Sequence, residues 1–137
     1  MPFEYIKMDK EALKFIDTIE EISGSNVYLC YDCGKCSSGC AFVYKMDLTV
    51  NQVISYIKTG QKEKVLSANS PWVCSSCLTC TVRCPREVDI AAVMEAVREY
   101  TLRNEPERLK RIELTDEMKK NLPNIALVGS YRKKSEL

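Results

Sequence analysis

Apolar residues recur at helical spacing near the start of this chain, and the pattern predicts a helix there. We expect it to run from Asp9 to about Ile22, with Gly24 placed to end it. Its apolar face carries Leu13, Phe15, Ile16, Ile19 and Ile22.

The middle of the chain repeats this spacing. A second helix is expected to end near Gly60, and a short third helix runs from Gln61 to Ala68. Pro71 then closes the third helix, since a proline disfavours helical geometry in the residue before it. The second helix has its apolar stripe at Val50, Val53, Ile54 and Ile57.

The most regular helix is predicted from Asp89 to about Arg103, where Ala91, Ala92 and Ala96 raise helix propensity. Its apolar face carries Ile90, Val93, Met94 and Val97. No pair of strands is indicated. The pattern therefore predicts an all-α fold in which the apolar stripes form an ordinary core.

Eight cysteines stand between these helices in two groups of four. Both groups read C-x2-C-x2-C-x3-C, and each cysteine of the second group lies 44 residues after its counterpart. The groups are Cys30, Cys33, Cys36 and Cys40, then Cys74, Cys77, Cys80 and Cys84. The segment MDLTVNQVI, from Met46, also aligns with VDIAAVMEA, from Val88, at an offset of 42. The chain is thus an internal duplication, with Asp47 and Asp89 each suited to cap the helix after a cysteine loop.

Two four-thiol motifs in a chain without histidine indicate two [4Fe–4S] clusters. In the bacterial motif of this spacing, the fourth cysteine binds the other cluster when there are two. We expect this because the fourth position begins the following helix and is carried away from its own loop. The ligands are assigned as Cys30, Cys33, Cys36 and Cys84 for cluster 1, and Cys74, Cys77, Cys80 and Cys40 for cluster 2.

The residues beside the cysteines allow three further predictions. Pro85 suits the first turn of a helix, and Ala41 stands where the iron–sulfur pattern usually has proline. Gly34 and the Ser75–Ser76 pair are candidates for letting backbone amides approach the cluster sulfides, the alternative for the serines being that they simply form the turn. Four apolar neighbours are expected to exclude water from the clusters: Leu29, Val73, Leu78 and Val82.

Two other uses of the cysteines fit less well. Zinc prefers four tetrahedral ligands, usually as two C-x2-C pairs or a mixture with histidine. A disulfide framework needs an oxidising compartment. The first twenty residues are charged throughout and resemble no signal peptide, and no run of eighteen apolar residues occurs. The chain is therefore expected to be cytoplasmic, without a transmembrane segment.

Composition excludes several classes of function. The formal net charge is +1, which gives no bulk signal for nucleic acid. The chain has no histidine for acid–base catalysis, no phosphate-binding glycine loop and no cysteine left over as a nucleophile. We expect an electron conductor without a catalytic site of its own.

The stretches NVYLCYDCGKCSSGC and PWVCSSCLTCTVRCPREVDI resemble the C subunit of heterodisulfide reductase (HdrC), including HdrC-like subunits of related sulfur-metabolising complexes. The resemblance covers roughly residues 10–105 and implies an α-helical ferredoxin fold with all eight cysteines as cluster ligands. It also implies an oxidoreductase complex. In it, electrons pass between an A-type (HdrA-like) flavin and iron–sulfur subunit and a B-type (HdrB-like) catalytic subunit with CCG domains, which acts on disulfides or other sulfur compounds.

Three regions are expected: a helical extension (1–28), a two-cluster core (29–104) and a C-terminal tail (105–137). Residues 101–137 carry a net charge of +3, and the tail holds a short apolar island, NIALV. The tail is expected to dock a partner, the alternative being a frayed terminus. The alternatives are a free-standing two-cluster ferredoxin, which needs no such extensions, and an iron–sulfur regulator. A regulator would ordinarily carry a basic recognition helix, and none is seen.

Overall fold

The computed structural model describes residues 8–104, 115–126 and 128–129. The first unit ends at Asn104, and a second begins at Glu105. The helices of the first unit are α1 (Lys10–Ser23), α2 (Lys35–Ser38), α3 (Val50–Lys58), α4 (Lys62–Ser67), α5 (Ser70–Val73), α6 (Thr79–Arg83) and α7 (Ile90–Asn104). No strand occurs among the described residues, and the predicted all-α fold is confirmed.

Helix α1 begins and ends where its sequence predicts. The Asp9 side chain caps it by accepting a hydrogen bond from the Ala12 N–H at 2.8 Å. Gly24 ends it in the left-handed conformation, at φ +64°, and donates its N–H to the Glu20 carbonyl. Glycine suits this position because a β-carbon makes positive φ costly.

The core lies between α1, α3 and α7. Helix α1 packs against α7, and the Phe15 ring meets the Tyr100 ring edge-on at a centroid distance of 5.2 Å. Ile54 and Ile57 of α3 and Val93 of α7 are fully buried. The apolar stripes predicted from periodicity thus form one core, except that Leu13 of α1 is 45% exposed and lies outside it. Burial of each such side chain contributes roughly 1.5–3 kcal/mol to the free energy of unfolding.

Helix α3 has a different cap from the one predicted. Thr49 precedes it and forms a capping box with Gln52, whose side chain accepts the Thr49 N–H at 2.8 Å. Asp47 therefore does not cap α3, and this prediction is wrong. Asp89 does cap α7 as predicted, since it accepts the Ala92 N–H at 3.1 Å.

Asp47 instead fixes the start of α5. Its carboxylate accepts hydrogen bonds from the Ser70 hydroxyl at 2.6 Å and from the N–H groups of Asn69 and Leu48 at 2.9 and 2.8 Å. Burial raises the pKa of Asp47, but these hydrogen bonds outweigh burial, and the pKa lies below its usual value. The charged carboxylate thus ties the approach to α3 to the helix before the second cysteine loop.

Two predictions about proline are also wrong. Helix α4 ends at Ser67 without Pro71, which instead lies in the first turn of α5, where its missing N–H costs little. Pro85 does not open a helix: Cys84 before it is extended, and α7 begins only at Ile90.

The second unit contains α8 (Asp116–Asn121), whose first turn is capped by Thr115 accepting the Met118 N–H. Much of the predicted docking tail lies outside the described residues. Among all described helices, none combines the length and apolar character that a bilayer crossing requires.

Candidate metal centre

The eight thiols line two separate cavities in the first unit. Cys30, Cys33, Cys36 and Cys84 line the first cavity. Cys40, Cys74, Cys77 and Cys80 line the second. Each cavity therefore brings together three cysteines of one motif and the fourth cysteine of the other.

The thiols of each set surround a space instead of converging on a point. All eight cysteines lie in the described part of the chain, and all are free thiols. Within that part, no three Cys, Asp or Glu side chains lie close enough to share one metal ion. Around tetrahedral Zn²⁺ the sulfurs would stand about 3.8 Å apart, from a Zn–S bond of about 2.3 Å. Four thiols around one cavity are the donor set of a [4Fe–4S] cluster, so these residues fit that group.

A short helix inside each motif carries its fourth cysteine across to the other half. Helices α2 and α6 occupy equivalent places in the two motifs and pack against each other. Cys40 and Cys84 follow these helices, so the expectation that each begins the next helix is wrong. Sequence periodicity missed α2, α5 and α6 because a helix of four or five residues is too short to show a period.

The two loops turn at equivalent residues. Asp32 and Ser76, 44 residues apart, have φ angles of 60° and 53°. Gly34 and Leu78, also 44 apart, have φ angles of 74° and 62°. Backbone that alternates in this way forms concave anion-binding nests, which recur at iron–sulfur sites. The local backbone is therefore suited to a cluster whose sulfides carry negative charge.

A cation on the next long helix holds each loop. Lys58, the last residue of α3, donates to the Cys30 carbonyl at 2.9 Å and to the Asp32 carboxylate at 2.6 Å. Arg98 of α7 donates to the Cys74 carbonyl and to the Ser76 hydroxyl, both at 2.9 Å. These acceptors are counterparts in the duplication. Both cations are largely buried, with side chains 16% and 15% exposed.

A hydroxyl after the third cysteine joins each loop to the same helix. The Ser37 hydroxyl accepts the Asn51 N–H at 2.9 Å, and the Thr81 hydroxyl accepts the Ala91 N–H at 3.2 Å. Asn51 and Ala91 are the second residues of α3 and α7. Sequence reasoning missed these hydroxyls and the two cations. The sequence signal for the two cations was their matching position, since Lys58 and Arg98 are each the ninth residue of their helix.

Burial controls the charge state of several thiols. Burial raises the pKa of Cys30, Cys36 and Cys80 above that of an ordinary thiol. The hydrogen bond between Cys77 and the Thr79 hydroxyl, at 3.4 Å, lowers the pKa of Cys77. Metal ligation requires thiolates, so iron binding would release protons from the buried thiols.

The predicted water-excluding residues are not the ones that do so. Leu29, Leu78 and Val82 are exposed, the last at 84%. Val73 is half-buried but lines neither cavity. All four stand close to cysteines in sequence, but closeness in sequence does not direct a side chain into the cavity. The apolar lining instead comes from Ile90 in the first cavity and, in the second, from Phe42, Met46, Val50, Ala91 and Met94.

The comparisons with known proteins agree with this site. Residues 26–88 match the 4Fe-4S dicluster domain family. Over 91 residues, 66% of this chain, the sequence is 32% identical to the C subunit of the H(2):CoB-CoM heterodisulfide,ferredoxin reductase of Methanothermobacter thermautotrophicus, of which it covers 48%. Over 112 residues, 78% of this chain, it is 31% identical to the C subunit of the Ferredoxin:CoB-CoM heterodisulfide reductase of Methanosarcina mazei, of which it covers 66%.

A third relative is a protein of Archaeoglobus profundus that is named as similar to the C subunit of heterodisulfide reductase. The two are 30% identical over 83 residues, which are 60% of this chain and 44% of that protein. The chain spans about half the length of several of the curated relatives it matches. The dicluster domain and these relatives together show that the chain belongs to the HdrC family of iron–sulfur proteins, the C subunits of heterodisulfide reductase.

Proposed function

We propose that this chain is the electron-transfer iron–sulfur subunit of a heterodisulfide-reductase-like complex. It relays electrons between an A-type flavin and iron–sulfur subunit and a B-type catalytic subunit that acts on disulfide or other sulfur substrates. The observation that carries the proposal is the pair of four-thiol cavities within one unit. The kinship with subunits named for heterodisulfide reductase supports the complex.

In this proposal two [4Fe–4S] clusters bind in the two cavities. Cys30, Cys33, Cys36 and Cys84 hold one, and Cys40, Cys74, Cys77 and Cys80 hold the other. Each cluster, when bound, supplies one-electron transfer. The exchange of fourth cysteines ties the two halves of the chain together through metal, which would stabilise so small a core.

The chain's own residues position the clusters and limit the access of water to them. Lys58 and Arg98 fix the first cysteine of each motif through its carbonyl. Met46, Val50 and Met94 give the second cavity an apolar wall. Such walls and backbone hydrogen bonds tune cluster potentials.

The complex is tested by gentle anaerobic purification of the chain from its own cells, followed by size-exclusion chromatography. Co-elution with A- and B-type subunits is the expected result. Elution as a lone monomer that still carries iron would contradict the proposal and favour a free-standing ferredoxin.

The C-terminal tail is proposed as a docking element of this complex. Within its described part, Ile125 is 76% exposed, and Val128 is exposed as well. Deletion of residues 122–137 should weaken co-purification with the partners while leaving the cluster absorbance of the chain intact. Unchanged co-purification would show that the partners bind elsewhere.

A further inference from the structure

The two cavities differ in charge. Lys35 and Arg86 line the first cavity, and the Arg86 side chain is held there by a hydrogen bond to the Leu29 carbonyl at 3.3 Å. No charged residue is found among the described residues that line the second cavity. The polar side chains there are neutral and belong to Ser75, Ser76 and Thr79.

The cations slightly farther from the cavities are each paired with a carboxylate. Lys58 beside the first loop is neutralised by Asp32, which also lies 3.9 Å from the Cys30 sulfur. Arg98 beside the second loop is paired with Glu95. Each loop therefore has one cation paired with one carboxylate. The cations occupy equivalent places, but the carboxylates do not, since Asp32 belongs to the first loop and Glu95 lies on α7.

The Arg83 side chain covers Gly39, which precedes Cys40 of the second cavity, and Arg83 lines neither cavity. Among the lining residues, Lys35 and Arg86 give the first cavity an excess of two positive charges over the second.

Resting on the two-cluster function above, we propose that the cluster in the first cavity has the higher reduction potential because of Lys35 and Arg86. Each cluster gains one electron from an external one-electron donor, without any bond or proton being transferred. Reduction makes the cluster one unit more negative, and nearby cations stabilise that state. An electron that enters at the second cavity then moves downhill to the first.

This ordering gives the chain a direction. The subunit that donates electrons approaches the cavity of Cys77, and the subunit that accepts them approaches the cavity of Cys33. Cys33 and Cys77 are the exposed cysteines of the two sets. The electron leaves from the first cavity, where Lys35 and Arg86 stabilise the reduced cluster. Between turnovers the electron therefore resides in the first cavity.

The test is an anaerobic redox titration of the full cluster-loaded chain, followed by EPR of the reduced clusters. The double variant Lys35→Gln, Arg86→Gln removes the excess charge. The control variant Lys64→Gln, Arg103→Gln removes the same charge at two exposed positions that line neither cavity. Iron and sulfide are measured on every sample.

We expect two reduction waves in the unmodified chain. The Lys35 and Arg86 variant should lower only the higher of the two midpoint potentials, which belongs to the cluster in the first cavity. The expected change is at least tenfold in the equilibrium between the clusters, which is about 59 mV for a one-electron couple. The control should leave both waves in place.

Three outcomes would overturn the inference: a single shared midpoint in the unmodified chain, a shift of the later wave, or a shift no larger than that of the control. Failure of the two-cluster function is a separate result. It would appear in the chemical analysis as fewer than about eight irons and eight sulfides per chain.

Discussion

The two cysteine loops of this chain follow the same backbone course but are held by different side chains. Lysine holds the first loop and arginine the second, with aspartate and serine as their matching acceptors. A serine hydroxyl joins the first loop to its helix, and a threonine hydroxyl joins the second. The duplication has kept the positions of the contacts while changing the residue types. Backbone geometry, more than side-chain identity, defines the site.

The connection between loop and helix is where the halves differ most. The loops correspond at an offset of 44 residues, but α3 and α7 begin at Val50 and Ile90, an offset of 40. The first connection is therefore four residues longer. The structural counterpart of Asp89 is Thr49, and the extra length frees Asp47 to bind α5.

The largest difference between the two halves is expected when the fourth cysteine of each motif is replaced in turn. Cys84→Ser should remove the cluster held by Cys30, Cys33 and Cys36, and Cys40→Ser should remove the other. Each variant should lose about four of eight irons. EPR at low temperature should show that the surviving signals of the two variants differ. If Cys84→Ser instead removes the cluster of its own motif, ligation stays within each motif.

The second-largest effect is expected from replacing Lys58 or Arg98, the cations that hold the two loops. Arg98→Met leaves the carbonyls of Pro71 and Cys74 without their hydrogen-bond donor. It should lower the free energy of unfolding by about 3 kcal/mol, since hydrogen bonds to a charged group contribute about 1.5–3 kcal/mol each. Lys58→Met should cost about 2 kcal/mol. Anaerobic thermal unfolding and iron release to a chelator measure both effects.

Arg103→Met is the matched control for Arg98→Met. Arg103 lies on the same helix, is exposed, and pairs only with Glu99 among the described residues. Its loss should change stability by less than about 0.5 kcal/mol. Equal losses for Arg98 and Arg103 would mean that Arg98 acts through helix stability and not through the loop.

Asp47→Ala should cost about 2 kcal/mol, because it leaves the N–H groups of Asn69 and Leu48 and the Ser70 hydroxyl without their acceptor. Thr49→Ala, which removes the Thr49 side chain from the capping box together with its hydrogen bond to Asn51, should cost about 1 kcal/mol. Midpoints of anaerobic thermal unfolding compare the two. A larger loss of stability for Thr49→Ala than for Asp47→Ala would mean that the cap of α3, and not Asp47, contributes most to the stability of this connection.

The smallest effect concerns the left-handed residues of the loops. Leu78→Gly should stabilise the chain by about 1 kcal/mol, since leucine at φ +62° is strained and its side chain is mostly exposed. Gly34→Leu should destabilise by a similar amount, although nothing lies within 4 Å of the added β-carbon. Opposite shifts in the unfolding midpoint are expected. Shifts of the same sign would mean that the two loops differ in backbone and not only in residue type.

The sequence predicted the long helices well and the loop architecture poorly. Helices α1, α3 and α7 are visible because their apolar stripes extend over several turns and because Asp9 and Gly24 mark the ends of α1. Asp47 misled because the sequence alignment gave an offset of 42 after the cysteines, whereas α3 and α7 begin 40 residues apart. Lys58 and Arg98 were missed because a sequence does not show which carbonyl a cation meets.

The most direct test of the account is elemental analysis of the chain purified without oxygen, joined to EPR after reduction. The account predicts about eight irons and eight sulfides per chain and two interacting [4Fe–4S] signals. Stoichiometric zinc without iron would contradict it.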